Sequence, residues 1–199
     1  MGESLISEKF LIAGTDEAGR GPLAGPVVAA AVILTRGQRE ELVEAGLNDS
    51  KKLTPAKREK LFRLMCDMQV EWRAQKADNR QIDSINILQA SLWCMKQSVL
   101  QLEHKPDLVL VDGNMLIPAF DIKQKCVIKG DSRVPAIAAA SVVAKVLRDH
   151  IMLDLDKQYP QYGFARHMGY PTKFHKEMIE KYGPSPVHRM SFSGVKKVG

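Results

Sequence analysis

Residues 10–34 read Phe10-Leu-Ile-Ala-Gly-Thr-Asp-Glu-Ala-Gly-Arg-Gly-Pro-Leu-Ala-Gly-Pro-Val-Val-Ala-Ala-Ala-Val-Ile-Leu34. Two apolar runs flank a segment that carries Asp16, Glu17, Gly19, Arg20 and Gly21, and both runs predict β-strands. Side chains alternate faces along a strand, so two adjacent carboxylates share a target only where the chain leaves the sheet and curls. The strand is therefore expected to end at Asp16 and Glu17. Gly19 and Gly21 permit positive φ and a close approach of backbone to ligand, and Arg20 adds a fork of donors suited to phosphate. Acidic residues beside glycine also fit an ordinary charged turn. The GxGxxxG spacing of Gly19 to Gly25 has the form of a dinucleotide-binding loop, but such a loop opens a helix, whereas Val27 to Leu34 reads as a buried strand. Two carboxylates also repel a pyrophosphate and attract metal ions.

Downstream, Gly37 to Gly46 predicts a short helical connection ending at its glycine. Thr54 and Pro55 cap and open a helix, which places Lys51 and Lys52 in the loop before a helix N-terminus; that location suits a phosphate, and equally a solvated charge pair. Val70 to Ala77 alternates as a strand. Asp78 caps a helix from about Asn79 to Leu102, whose stripe of Ile82, Ile85, Leu88, Ser91, Leu92, Met95 and Val99 is core. Leu108 to Val111 is a short apolar strand that delivers Asp112 and Gly113. Cys126 to Ile128 leads to Lys129-Gly-Asp-Ser132, and a helix with a small-residue face runs from about Arg133 to Tyr159.

Taken singly, Asp112-Gly113 fits a turn and Asp131 a helix cap. Together, Asp16, Asp112 and Asp131 each follow a short apolar run, which puts all three at strand ends, where ligands collect in an open α/β sheet. Carboxylates gathered there repel one another unless cations neutralise them, and an all-oxygen set selects Mg²⁺ or Mn²⁺ over zinc. From Tyr159 onward the texture changes to aromatics, glycines and basic residues. These fit either stacking beside phosphates or a packed aromatic subdomain, followed by a helix from Lys173 to Tyr182 and a basic tail.

With 199 residues and 45% hydrophobic content the chain fills one large domain. Residues 1–158 are read as the core, and 159–199 as a small C-terminal helical and basic region packed on it. Cys66, Cys94 and Cys126 share no metal-binding spacing, so reduced thiols and a cytoplasmic location are expected. No apolar run reaches about 20 residues, so no membrane span is expected. A formal charge of +6 favours a polyanionic partner.

The ordered set Gly14-Thr-Asp-Glu-Ala-Gly-Arg-Gly-Pro22, Leu47-Asn-Asp-Ser-Lys-Lys-Leu53, Val111-Asp-Gly113, Lys129-Gly-Asp-Ser-Arg133, Ala139-Ala-Ser-Val-Val-Ala-Lys-Val146, Tyr162-Gly-Phe164, His167-Met-Gly-Tyr-Pro-Thr172 and His188-Arg-Met-Ser-Phe192 resembles the bacterial type 2 ribonucleases H (ribonuclease HII) over about residues 10–199. The resemblance implies an RNase H-like α/β fold, a central mixed sheet flanked by helices with a small C-terminal helical region. It implies Asp16, Glu17, Asp112 and Asp131 as catalytic, metal-binding carboxylates for two Mg²⁺ or Mn²⁺ ions, which can stabilise both the attacking and leaving oxygens of a phosphodiester. By the same route, Gly19-Arg20-Gly21 would read a ribose 2′-hydroxyl and Tyr170 would stack on the neighbouring deoxyribose. Lys51, Lys145, Arg148 and the C-terminal basic residues would contact phosphates. Met168 stands where relatives often carry Lys, so that phosphate contact is either missing or supplied by Arg166.

The expected activity is endonucleolytic cleavage of RNA in RNA–DNA hybrids, and 5′ of single ribonucleotides in duplex DNA, by a monomer with nucleic acid as partner. Two other classes fit parts of the pattern: a recombinase or junction nuclease sharing the fold, which needs no 2′-hydroxyl reader, and a non-catalytic hybrid-binding module, which would lack some of the four carboxylates.

Overall fold

The computed structural model describes residues 10–195, and the opening stretch forms a hairpin at the middle of its sheet. Strand β1 (Ile12–Ala18) pairs antiparallel with β2 (Val27–Ile33), which pairs antiparallel with β3 (Glu71–Ala77). On its other side β1 pairs in parallel with β4 (Leu108–Asp112), and β4 in parallel with β5 (Gln124–Val127). The spatial order is β3-β2-β1-β4-β5, the expected mixed sheet. The flanking helices are α1 (Arg36–Glu44), α2 (Pro55–Asp67), α3 (Asn79–Leu100), α4 (Pro135–Gln158), the single turn α5 (Phe164–His167) and α6 (Lys173–Tyr182).

Helix starts follow capping chemistry. The side chains of Thr35, Thr54, Asp78 and Thr172 each accept a hydrogen bond from the backbone N–H three residues on, and Gln38 completes a capping box with Thr35. Every residue of β2 is buried, so the sheet is covered on both faces. Ala29 and Ala31 pack under α3 with Cys94, Met95 and Val99, while Ala30 and Val32 pack under α4 with Ala139 and Val143. Each fully buried Val or Met contributes roughly 1.5–3 kcal/mol. Small side chains let α4 lie almost on the sheet. A Cβ built at Gly14 falls 2.4 Å from the Ala136 carbonyl carbon and 2.4 Å from the Ile137 nitrogen, so β1 and α4 meet backbone to backbone.

Two elements depart from the sequence reading. β1 does not end at the carboxylates but runs through them to Ala18, because Asp16 and Glu17 keep ladder partners in Ala30 and Ala29. α3 is interrupted at Asn86, which takes φ 65° and ψ 164° while its side chain accepts from the Gln89 N–H at 3.1 Å and so re-caps the second segment. The apolar stripe is therefore reset at this point, and Ile85 stays 37% exposed.

A third core of Leu23, Ala24, Met152, Tyr162, Phe164, Ile179 and Val195 joins the C-terminal residues to the β1–β2 connection. Backbone bonds reinforce it: Leu23 N–H donates to Gly169 O (2.8 Å), Gly25 N–H to Val187 O (3.0 Å) and Arg189 N–H to Leu23 O (2.8 Å). All three cysteines are unpaired. No helix of the described residues is long and apolar enough to cross a membrane.

Candidate active site

Parallel pairing is what brings the carboxylates together. Thr15 lies opposite Val111, so the next residues, Asp16 and Asp112, are neighbours at the same edge of the sheet. Asp112 lies opposite Val127 of β5, and the chain then turns through Gly130–Ser132 and offers Asp131. The Gly130 N–H donates to Asp112 Oδ1 at 2.7 Å, which ties that turn to β4. A Cβ at Gly130 would sit 2.5 Å from Ile137 Cδ1 and 3.2 Å from Asp112 Oδ1, so a side chain there would force the turn away. The outcome is one oxygen each from Asp16, Asp112 and Asp131, all within 4.8 Å of one another.

Only 4% of Asp16 and 5% of Asp131 is exposed. Burial, then the charges of Glu17 and Asp112, push the Asp16 pKa well above the usual carboxylate range. Burial and then Asp112 and Asp49 push Asp131 up as well. Lys51 Nζ stands 3.5 Å from Asp131 Oδ2, one ammonium against three carboxylates. Its partial burial favours the neutral amine, yet Asp131, Asp16, Asp49 and Asp112 together raise its pKa. A buried oxygen-only cluster with this surplus of negative charge fits a hard divalent cation.

Glu17 projects from the opposite face of β1. Its oxygens are outside the close cluster, and Arg20 Nη1 donates to Oε1 at 3.3 Å. Burial raises its pKa, with Arg20 opposing. It lines a cleft of about 280 Å³ with Arg20, Ser91, Asp112, Gly113 and Asn114, so it reaches the cluster from the side through Asp112.

The loop carrying Lys51 is seated on α4. Ser50 Oγ and Ser141 Oγ lie 2.6 Å apart, and the buried Arg58 donates to Ser50 O (2.9 Å) and Leu53 O (2.6 Å). Lys51 and Lys52 themselves are exposed. Gly19 adopts φ +101°, and Gly21 faces Tyr170, whose Cε1 would lie 3.5 Å from a Cβ at that position. Tyr170 is 44% exposed, so the ring stands over the Gly19-Arg20-Gly21 loop with a face to solvent.

The expected phosphate contact from Arg148 is corrected. Arg148 is fully buried, and its guanidinium donates to the carbonyls of Pro26 (3.0 Å), Ala24 (3.3 Å) and Met168 (3.0 Å), which leaves it no route to a phosphate. Lys145 is four-fifths buried with Nζ 2.7 Å from Asp149 Oδ1, inside a network that includes Arg58. Arg189, counted in the basic tail, is also fully buried. Arg166 is exposed, with its guanidinium 5.5 Å from the Phe174 ring centre.

The aromatic stretch is mostly packing, since Tyr162, Phe164, His167, His175 and His188 stack on one another inside the third core. Within it, Ser185 N–H donates to His188 Nδ1 (2.9 Å), which leaves the proton on His188 Nε2 to donate to His175 Nε2 (3.0 Å). His175 Nδ1–H then donates to the Tyr170 carbonyl (2.9 Å). This directed chain requires neutral imidazoles and ends at the residue that presents the exposed ring. Sequence reasoning missed these supports, since an isolated His or Arg carries no signal of the carbonyl it will meet.

Known proteins resemble the chain over nearly all of its described residues. The family model described as Ribonuclease HII matches residues 13–195. The ribonuclease HII of Vibrio vulnificus is 52% identical over 186 residues, spanning 94% of this chain and 87% of its own length. That of Acetivibrio thermocellus is 51% identical over 183 residues, or 92% and 70%. Among solved structures, ribonuclease H2 from Pyrococcus horikoshii superposes with a TM-score of 0.77 at 28% identity, covering 93% of this chain and 95% of that one. Bst-RNase HIII in complex with Mn²⁺ shares the fold, with a TM-score of 0.78 at 18% identity over 94% and 68%.

Proposed function

The chain belongs to the ribonuclease HII family, and from that premise we propose that this endoribonuclease of RNA–DNA hybrids also incises duplex DNA on the 5′ side of a single embedded ribonucleotide. The observation that carries the finer reading is the placement of Tyr170 over Gly21, within one loop of the carboxylate cluster. Asp16, Asp112 and Asp131, with Glu17 at the side, would hold Mg²⁺ or Mn²⁺, which when bound supplies an activated water and charge stabilisation at the attacking and leaving oxygens. Asp16, the most buried of the cluster and adjacent to Glu17 and Asp112, would be the central residue of the set that holds the metal. Cleavage of the bond to a 3′-oxygen leaves 3′-hydroxyl and 5′-phosphate ends.

The protein's own groups choose the bond. RNA differs from DNA at the 2′-hydroxyl, and backbone groups of Gly19-Arg20-Gly21 meet it at fixed positions. The Tyr170 ring stacks on the next deoxyribose, and Lys51 holds a phosphate. Stacking of this kind is worth roughly 1–3 kcal/mol. Tyr170→Ala is therefore expected to slow cleavage at a single ribonucleotide about ten- to a hundredfold more than cleavage of a continuous RNA strand. The test measures both mutant-to-wild-type rate ratios in the same metal and salt and maps the ends produced. Equal ratios, or a wild type that ignores the single ribonucleotide, would leave a general hybrid nuclease.

A further inference from the structure

Arg189 has no exposed surface, and among the described residues no carboxylate lies within salt-bridge distance of it. Its cationic head instead faces three backbone carbonyls: Nε donates to Gly25 O (3.0 Å), Nη1 to Arg20 O (3.0 Å) and Nη2 to Gly19 O (2.6 Å). Arg148 lies beside it and holds the carbonyls of Ala24 and Pro26. Burial and the neighbouring Arg148 lower the Arg189 pKa to about 9, which still leaves it charged at neutral pH. Two like charges are thus buried under one loop with backbone oxygens as their main compensation, an arrangement that costs stability unless the loop geometry is worth fixing.

That geometry has a direct consequence. Among the described residues no peptide bond is cis, and in a trans peptide the C=O and the following N–H point in opposite directions. With the carbonyls of Gly19 and Arg20 drawn inward, the N–H groups of Arg20 and Gly21 face outward. Among the described residues neither N–H has a protein acceptor. Two adjacent outward amides beside the exposed Tyr170 ring form a donor pair, and a buried cation on the far side of the same peptides polarises them.

We propose that Arg189 is a positioning residue for ribose recognition, which turns the amides of Arg20 and Gly21 outward as donors to the 2′-hydroxyl by holding the carbonyls of Gly19 and Arg20. The proposal rests on the loop being the ribose reader. Lys at this position keeps the charge but lacks the planar fork that spans three carbonyls.

The test is duplex binding without divalent metal, so that nothing is cleaved, using a duplex with one ribonucleotide and its all-DNA counterpart. Arg189→Lys is expected to bind all-DNA within about twofold of wild type and to lose about tenfold of the preference for the ribonucleotide, the size of one or two lost hydrogen bonds. A folded variant that keeps the full preference overturns the role of Arg189 and leaves the loop reading intact. A wild type without preference overturns both. Should Arg189→Lys not fold, backbone amide NMR of the wild type decides. The Arg20 and Gly21 amides should exchange rapidly in the free protein and become protected by the ribonucleotide duplex but not by all-DNA. Protection in the free protein, or equal protection by both duplexes, rejects the proposal.

Discussion

Asp16 carries the conflict between stability and activity. Its carboxylate is buried beside two others and held by a single N–H, that of Glu17 at 2.7 Å, so its pKa is driven up by burial and by Glu17 and Asp112. A carboxyl whose folded pKa is raised binds protons more readily folded than unfolded, so in metal-free protein it costs stability as pH rises through that range. Asp16→Asn keeps the shape and removes the charge. Cleavage should fall to background, while the metal-free Tm rises by roughly 2–4 °C, the shift that ~1 kcal/mol produces in a chain of this size. Near-normal cleavage, or a lowered Tm, would contradict the placement. Asp131→Asn should retain part of the activity, because Asp131 sits on a turn beyond its strand and has Lys51 beside it; total loss in both variants would reverse that ranking.

The contact between β1 and α4 positions Asp16, and it leaves no room for a side chain at Gly14. Gly14→Ala should destabilise the protein by roughly 3 kcal/mol or more, since the new methyl meets main chain that cannot swing away; an unchanged denaturation midpoint would show that α4 can shift. Strand and helix identities were legible because their signals are local: the apolar run of Val27 to Ile33, the caps at Thr54 and Asp78, and the small face of α4. The break at Asn86 was hidden because the apolar spacing reads on through it. The end of β1 lies past Glu17 because, although the glycines after it look like a strand end, ladder pairing with β2 persists to Ala18. The buried Arg148 and Arg189 were read as surface charge because their partners are carbonyls distant in sequence. The chain from Ser185 through His188 and His175 to Tyr170 is the same kind of feature, and it has a measurable signature. Burial lowers the pKa of both imidazoles to about 4, against 6.5 unperturbed. A depressed histidine pKa gives stability that is complete above pH 6.5 and lost as pH falls toward 4, on the order of 3 kcal/mol for one imidazole. The carboxylate cluster titrates in the opposite sense, so denaturation is best followed from pH 7.5 to 4.5 in the Asp16→Asn background. A flat profile there would mean that the imidazoles protonate as readily in the folded protein as in the unfolded chain.

Across the whole molecule, the formal charge of +6 overstates what a polyanion meets, because Arg58, Arg148 and Arg189 are buried and Lys145 is paired with Asp149. Basic groups inside the fold hold loops in place, and only those on the surface release counterions from a duplex. Each phosphate neutralised contributes about 0.9 to the slope of log affinity against log salt. Lys51, 79% exposed at the rim of the carboxylate cluster, is placed to count, whereas Lys145 on the same side of the sheet is not. Duplex binding should therefore weaken with salt in the wild type, Lys51→Ala should reduce the slope by about one, and Lys145→Ala should leave it unchanged. The two substitutions remove the same charge from the chain, so net charge cannot account for a difference between them; only the position of each ammonium can. Titrations of all three proteins on one duplex, without divalent metal and from low to physiological salt, make the comparison. Equal slopes for the two variants would mean that the Lys145–Asp149 pair opens on binding and that the buried and surface charges cannot be separated as the structure separates them.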